Sequence, residues 1–380
     1  MNYSVIRYDD LSVKATCSIY RKPNQAAVLH AILELTEPAF PAGKQFDCLY
    51  LGMSRILSES AFRDVALIWK RYFVSDVANQ AEYLPAGGDE AVSLVQQPPL
   101  SGSKVVLWLC GIENVSVGKM QGNGTLVKRP HYSHVFHAQL HEQAGTVEQQ
   151  TKSVFDAYGA YLNKLNACLE SNCIRTWLFV KDVDRQYAGM VTARKTFFEK
   201  ENLTPQTHYI ASTGIEGRYI HPEVLVLMDA YAVLGLKKEQ IQYLKGSSHL
   251  NSTSEYGVTF ERGTAVLYGD RCHVYISGTA SIDNKGDILY LRDIEKQTAR
   301  VLENIRVLLN EAGCDMQDLA HLLIYLRDVA DYAFVNSYMQ SHYPSIPKVI
   351  LLAPVCRPGW LIEIECVAIK EMNNPQFYPF

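Results

Sequence analysis

Two acidic residues near the end of the sequence have the spacing of a strand that presents chemistry on one side. In Leu361–Ala368, the side chains of Glu363 and Glu365 share one face, because side chains alternate along a strand. Burial beside Trp360 and Ile362 would raise the pKa of Glu363, since a charged group among apolar neighbours is costly. A carboxylic acid that stays protonated near neutral pH can deliver a proton to carbon. We interpret Glu363 as a candidate general acid, the alternative being a surface or salt-bridged strand glutamate.

Four cationic residues are candidate anchors for an anionic ligand. Arginine suits planar carboxylates because its fork donates two parallel hydrogen bonds. A ligand with two carboxylates would need at least two such groups. The alternative for each is a structural or solvent-exposed ion pair, for example Arg327 with Asp328. The candidates are Arg194, Arg327, Lys348 and Arg357.

The dipeptide Ser277-Gly278 offers a place where a ligand could approach the backbone. Glycine has no side chain to block the approach, and serine brings N–H and hydroxyl donors. A plain bend from strand to loop is the alternative. No G-x-S-x-G elbow surrounds Ser277, which argues against a serine nucleophile. Cys356 precedes Arg357, which could lower a thiol pKa, but we prefer a buried, inert cysteine.

The spacing of four histidines does not favour a metal site. If Val135–Leu140 forms a strand, His134 and His137 point to opposite faces. No C-x-x-C pair occurs among the nine cysteines, so zinc-knuckle and thioredoxin-like motifs are excluded. We therefore expect neither a metal nor a cofactor. The histidines are His131, His134, His137 and His141.

Composition places the chain among folded proteins of a reducing compartment. Its 380 residues exceed one small core, and 48% are hydrophobic against 20% charged. The formal net charge of -4 disfavours a broad nucleic-acid surface. Scattered cysteines, the lack of a signal-peptide pattern and the lack of a long apolar run favour a cytoplasmic protein with no membrane partner.

Two stretches of the sequence repeat the same elements in the same order. Each predicts a long amphipathic helix, a strand followed by Asp-Val, a second helix and a closing strand, and Leu227 takes the place of Glu363. We predict an α+β fold of two such units, each a mixed β-sheet with helices on one face. The predicted ranges are an N-terminal α/β extension of unclear role at 1–100, a diverged unit at 101–245, and a unit with the likely site at 250–372.

The elements themselves follow from hydrophobic periodicity. Apolar residues at helical spacing predict helices over Ile294–Leu309 and Val329–Tyr343, and a short apolar run predicts a strand over His321–Leu326. In the N-terminal part, alternation favours a strand over Ala27–Leu35. Helical spacing is found over Ser58–Phe73.

The later repeat, over roughly residues 265–370, resembles the YjgF/RidA superfamily, which includes the endoribonuclease L-PSP family. Both predicted units are accordingly expected to be YjgF/RidA-like. The resemblance implies a threefold assembly with clefts between neighbouring copies, and hence a homotrimer. The motifs that carry it are Tyr275–Thr279, Asp283–Asp287, Gln297-Thr298, Leu302–Ile305, Ala312-Gly313, Val335–Tyr338 and Ile362–Glu365.

A narrower resemblance over residues 100–370 is to the chorismatase group, whose members cleave the enolpyruvyl ether of chorismate. It implies that Glu363 is catalytic and that a small anionic metabolite binds nearby, to be split into pyruvate and a cyclic product. Hydrolysis and aromatising elimination, hydrolase and lyase chemistry, both stay open. The matching pieces are Ile174–Trp177, Tyr187, Arg194, Phe197, Ser212–Ile215, Ser277–Ser281, Tyr325–Arg327 and Cys356–Pro358.

Two departures from these families bear on the substrate. RidA imine deaminases carry an arginine where this sequence has Lys348, and the basic segment expected before Ser277 is altered over 256–262. A RidA-like imine or enamine deaminase is therefore an alternative. A metabolite-binding protein without catalysis is another.

Overall fold

The computed structural model describes residues 1–380 apart from Ser254 and Tyr256, so the first residue of the altered segment 256–262 lies outside the described residues. Within the described part, eighteen strands form three six-stranded sheets. The first sheet contains β1 Asn2–Tyr8, β2 Val13–Tyr20, β3 Val28–Leu35, β4 Val65–Val74, β5 Ala91–Gln96 and β6 Val105–Glu113. The second contains β7 Ser116–Met120, β8 Gly124–Lys128, β9 Ser133–His141, β10 Cys173–Val180, β11 Ala211–Glu216 and β12 Val226–Leu234. The third contains β13 Ile241–Leu244, β14 Gly263–Leu267, β15 Arg271–Ala280, β16 Leu319–Leu326, β17 Lys348–Leu352 and β18 Ile362–Glu371.

All three sheets have one topology. Their strand orders are β1-β2-β3-β6-β4-β5, β7-β8-β9-β12-β10-β11 and β13-β14-β15-β18-β16-β17. In each sheet the last neighbours, such as β16 and β17, run parallel, and the other pairs are antiparallel. We call the residues of the three sheets the first unit (2–113), second unit (116–234) and third unit (241–371).

Helices fill the same two connections in every unit, between the third and fourth strands and between the fourth and fifth. Over the described residues the α-helices are α1 Ala42–Ser58, α2 Val77–Gln80, α3 Val147–Asn163, α4 Leu169–Asn172, α5 Val183–Lys200, α6 Ile294–Glu311 and α7 Tyr332–His342. The Asp293 side chain caps α6 by accepting from the Lys296 amide at 3.0 Å. Gly313, at φ +72°, follows its end, because a left-handed residue there is easiest for glycine.

The structure confirms the α+β class and the repeated sheet with helices on one face, and adds a third copy of the unit. The sequence does not indicate that copy, because Ser58–Phe73 has helical spacing yet does not form a helix. Helix α1 ends at Ser58, and the apolar run that follows is the strand β4, buried along most of its length. A continuous apolar run cannot be assigned by periodicity alone. By strand pairing the first unit extends to Glu113.

The helix-free faces of the three sheets pack against one another around a common axis. One continuous core takes Trp108 from the first unit, Tyr231 from the second and Val367 from the third. The three units of one chain thus share a common core. Whether three chains also assemble stays a prediction.

Buried polar contacts join the sheets across this core. The guanidinium of Arg71 on β4 donates to the Asp229 carboxylate on β12 at 2.7 Å, and both side chains have no exposed surface. Ser18 on β2 donates to the Ala320 carbonyl on β16 at 2.6 Å. Because buried charges need partners, these contacts fix how neighbouring units face each other.

Removing the Asp229 carboxylate should destabilise the protein strongly. Asp229→Ala leaves the Arg71 guanidinium buried without a counter-charge, which costs about 3–5 kcal/mol of unfolding free energy. Asp156→Ala, which removes an exposed pair with Lys152 on α3, should cost about 0.5 kcal/mol or less. Urea unfolding of both variants measures the difference, and two equally small losses would contradict this account.

Candidate active site between the second and third units

A cavity lies where the second unit meets the third. The second unit contributes α5 and β11, and the third contributes β15, β18 and the loop before β18. The lining residues from the second unit are Tyr187, Arg194, Ser212, Thr213 and Gly214. Those from the third unit include Arg262, Gly278, Cys356, Arg357, Trp360 and Glu363. The structure thus brings together six residues singled out from the sequence: Tyr187, Arg194, Gly278, Cys356, Arg357 and Glu363.

Glu363 is the acidic group of this cavity. It lies on β18, paired with Ala280 on β15 and Tyr325 on β16, and only 5% of its surface is exposed. Burial raises the pKa of Glu363 from 4.5 to about 8, and the negative charge of Glu365 adds to the rise. Arg175 and Arg262 act in the opposite direction. Among the described residues none donates a hydrogen bond to this carboxyl group, so burial dominates and the acid is protonated at neutral pH.

Glu365, two residues along the same strand, forms an ion pair and two further hydrogen bonds. Arg175 on β10 donates to its Oε2 atom at 2.7 Å, and the Trp177 indole donates to Oε1 at 2.7 Å. The Thr213 hydroxyl donates to Oε2 as well. These partners all belong to the second unit. Glu365 therefore joins two units, whereas Glu363 accepts no hydrogen bond from the described residues.

Gly278 makes room for the Glu363 carboxyl group. Pairing between β15 and β18 shifts between Ile276 and Thr279, which places Gly278 in a bulge. A Cβ atom there would collide with Oε1 of Glu363 and lie 2.7 Å from its Cδ atom. The Gly278 amide donates to the Thr213 hydroxyl at 2.9 Å, which fixes the bulge. A side chain at this position would therefore displace the Glu363 carboxyl group.

Ser277, the neighbour of that glycine, has a structural position. It is fully buried and does not line the cavity. Its hydroxyl donates to the Glu261 carbonyl at 2.5 Å and accepts from the Ser212 amide at 2.9 Å. The bulge turns Gly278 toward the cavity and Ser277 toward the second unit. The hydroxyl is therefore committed to joining the units.

Three arginines line the cavity. Arg194 on α5 is almost fully buried and donates to Thr259 at 2.9 Å. Arg357 lies with its guanidinium carbon 4.9 Å from the Trp360 ring. Arg262 donates to the Asn251 side chain at 3.0 Å. The sequence analysis missed Arg262 as an anchor, although it lies in the altered segment 256–262. With Glu363 protonated, these groups give the cavity a positive charge.

Arg327 and Lys348 lie outside this cavity. Arg327 donates to both Asp184 carboxylate oxygens, at 2.7 and 2.5 Å, beside a surface groove. Lys348 faces the first unit, near Lys14 and Glu34, and donates to the Tyr343 carbonyl at 2.8 Å. Burial and the charge of Lys14 lower the pKa of Lys348 to about 8.

The cyclic packing of the units explains the position of Lys348. In the second unit, Ser212 on β11 pairs with Thr176 and lines the cleft shared with the third unit. In the third unit, Lys348 on β17 pairs with Leu322, the equivalent position. Strand β17 lines the next cleft round the axis, shared with the first unit. Lys348 and Glu363 therefore line different clefts, although both belong to the third unit.

Tyr187 and Cys356 are neutral lining groups. Burial raises the pKa of Tyr187 well above its usual range and raises the pKa of Cys356 to about 12. The nearby charge of Glu363 adds to the rise at Cys356. The thiol therefore stays protonated at neutral pH, in line with the preferred interpretation of an inert cysteine.

Two histidines near the start of the second unit contact tyrosine side chains of the same unit. His134 Nδ1 lies 2.9 Å from the Tyr231 hydroxyl, and His137 stacks on Tyr161 with ring centroids 4.7 Å apart. Among the described residues, no group of three or more His, Cys, Asp or Glu side chains is arranged to hold a metal ion. No helix in the described part of the chain has the length and apolar character needed to cross a membrane.

The fold and site together define a class: a repeated α+β protein with a cavity between neighbouring sheet units. The family model described as Endoribonuclease L-PSP matches residues 265–370, which is most of the third unit. A RutC family protein of Pyrococcus abyssi is 32% identical over 100 residues, 26% of this chain and 79% of that protein. The 3-aminoacrylate deaminase RutC of Acinetobacter baylyi is 34% identical over 97 residues, 25% of this chain and 77% of that protein.

One solved structure extends the likeness beyond the third unit. A chorismatase superposes with a TM-score of 0.63 and 15% identity, covering 80% of this chain and 92% of that one. At this identity the likeness establishes the fold. The chain belongs to the YjgF/RidA superfamily, the superfamily of the RutC and endoribonuclease L-PSP proteins.

The raised pKa of Glu363 should appear in the pH dependence of stability. The folded protein holds the Glu363 proton more tightly than the unfolded chain does. The contribution of this proton binding to the free energy of unfolding is complete below about pH 4.5 and is lost as pH rises through about 8. Glu363→Gln cannot ionise. Its stability relative to the wild type should therefore increase over that pH window, as measured by urea unfolding at several pH values. Parallel pH profiles for the two proteins would show that Glu363 has an ordinary pKa.

Proposed function

We propose that this chain is an enzyme that cleaves the enolpyruvyl ether of chorismate, or of a related anionic metabolite, into pyruvate and a cyclic product. The observation that carries the proposal is a buried, protonated Glu363 in the same cavity as three arginines. A dianion suits that cavity, because arginine donates bidentate hydrogen bonds to carboxylates and the cavity holds excess positive charge.

The chemistry begins with a proton that only a neutral acid can give. Glu363 donates its proton to the terminal carbon of the enol ether, and the π electrons form the new C–H bond. Water then adds to the resulting oxocarbenium carbon, and its proton returns to the Glu363 carboxylate. The hemiketal collapses to pyruvate and an alcohol, so one water is consumed and no cofactor is required. Aromatising elimination from the same protonated species is the variant to be distinguished by product.

Glu365 cannot take this role, because its two oxygens are committed. It accepts from Arg175 and Trp177 at 2.7 Å each, and from Thr213. Its negative charge instead helps to keep Glu363 protonated. The two carboxyl groups thus have separate tasks that follow from their different partners.

An imine or enamine deaminase is the second candidate, favoured by the similarity of 97 residues of this chain to a 3-aminoacrylate deaminase. An enamine also takes a proton at carbon, so Glu363 could serve that reaction. Against it, the position equivalent to the RidA arginine is Ser212 in this cleft, whereas Lys348 faces the first unit. Incubation with chorismate and with enamines, followed by assays for pyruvate, aromatic products and ammonia, separates the two. Binding without turnover would favour a metabolite-binding protein.

Glu363→Gln should keep ligand affinity and lose turnover. The amide has nearly the same size but cannot give a proton, and a positioned general acid contributes about 10²–10⁴-fold to rate. In the wild type, kcat should fall as pH rises through about 8, because the carboxylate form cannot donate. Pyruvate release over a pH series, with affinity from calorimetry, gives both readouts. Unchanged turnover in Glu363→Gln would place the acid elsewhere.

Two arginine variants test which cations anchor the substrate. Arg357→Ala should weaken binding by about 1.5–3 kcal/mol, the value of a lost charge-assisted hydrogen bond. Arg327→Ala is the matched control, because Arg327 is paired with Asp184 outside the cavity, and its kinetics should match the wild type. The KM values of the two variants for chorismate show which arginine anchors the substrate. An equal effect of both changes would mean a general loss of positive charge.

A further inference from the structure

A second cavity lies on the axis where the three helix-free sheet faces meet. Residues of all three units line it, and it shares no lining residue with the candidate active site. Every unit contributes aromatic or imidazole side chains. They include His30, Trp69 and Trp108 of the first unit, Trp177 and Tyr231 of the second, and His273 of the third. We call this space the axial cavity.

The wall of the axial cavity carries polar nitrogens that the protein itself does not satisfy. Trp69 Nε1, Trp108 Nε1, His30 Nδ1 and His273 Nε2 have no hydrogen-bond partner among the described residues. Each of these residues is at most 6% exposed. A buried polar group without a partner costs about 1–3 kcal/mol, so four such groups around one cavity call for a physical explanation. The indole groups can only donate, so they require an acceptor.

The side chains that line the axial cavity are also uncharged. Burial lowers the pKa of His30 to about 3 and the pKa of His273 well below its usual range, so both imidazoles are uncharged. The Arg71 guanidinium lies 4.8–5.2 Å from the rings of Trp69, Trp108 and Trp177, but Asp229 neutralises it. A charged ligand would lose its hydration here without gaining a counter-charge. A neutral ligand loses much less hydration free energy on entering the cavity.

We propose that the axial cavity binds a small neutral aromatic molecule that carries a hydrogen-bond acceptor such as a carbonyl oxygen. The aromatic walls match its ring, and the Trp69 and Trp108 N–H groups supply donors for the acceptor. The inference does not depend on the proposed function, because the two cavities have different walls. It assigns the protein a second ligand site at the junction of all three units.

A matched pair of probes tests this chemistry on the full-length protein. Acetophenone and ethylbenzene have similar shapes, but only acetophenone has an acceptor. Acetophenone should bind saturably and about 3- to 10-fold more tightly than ethylbenzene, the range expected for one net hydrogen bond. Benzoate, an anion of similar size, should not compete with acetophenone. Ligand-observed NMR titrations give these affinities, and a structure of the soaked protein gives the position.

Amino-acid substitutions test whether acetophenone binds in the axial cavity. Val28→Phe adds bulk to a lining position and should abolish acetophenone binding. If that variant fails to fold, Trp108→Phe serves, because loss of the indole N–H should reduce the preference for acetophenone over ethylbenzene. Glu363→Gln should leave acetophenone affinity unchanged. The proposal is overturned if acetophenone does not bind the folded wild type, if Val28→Phe binds it equally well, or if the soaked structure shows only water in the axial cavity.

Discussion

The bond between Glu365 and the second unit is the interaction on which the candidate site depends. Each sheet has helices on only one face, so its other face must be buried against a neighbour. A carboxylate on that face is tolerable only when partners surround it, and Arg175, Trp177 and Thr213 meet this need. The same threonine accepts from the Gly278 amide. One buried carboxylate thus aligns the units, holds the bulge and places a negative charge beside Glu363.

Comparison of the three units shows that the position of Glu363 is acidic in the third unit and apolar in the other two. The strand positions equivalent to Glu363 are Leu227, paired with Phe179, and Val106, paired with Phe73. In the second unit the bulge carries Gln139, whose amide donates to the Leu94 carbonyl of the first unit at 3.2 Å. A side chain there fills the space that Gly278 leaves open in the third unit.

The sequence revealed the features that depend on local pattern. The amphipathic stripe of α6, the apolar run of β16 and the replacement of Glu363 by Leu227 in the earlier repeat all lie within single elements. It could not reveal which cleft each element would line, because that depends on the order of units around the axis. Lys348 therefore lines another cleft, although it belongs to the same unit as Glu363. Arg327 pairs with Asp184 of another unit, a contact that no local pattern indicates.

Joining three units in one chain changes what each cleft can hold. In a ring of identical copies, any residue placed in one cleft appears in all three, and so does its energetic cost. A buried acid with a raised pKa destabilises the folded state as pH rises, so three of them would multiply that cost. Within one chain, Leu227 and Val106 replace the acid in two copies, and the core keeps apolar side chains there. Divergence between the units therefore limits the buried acid, and its cost to stability, to the cleft that also holds the three arginines.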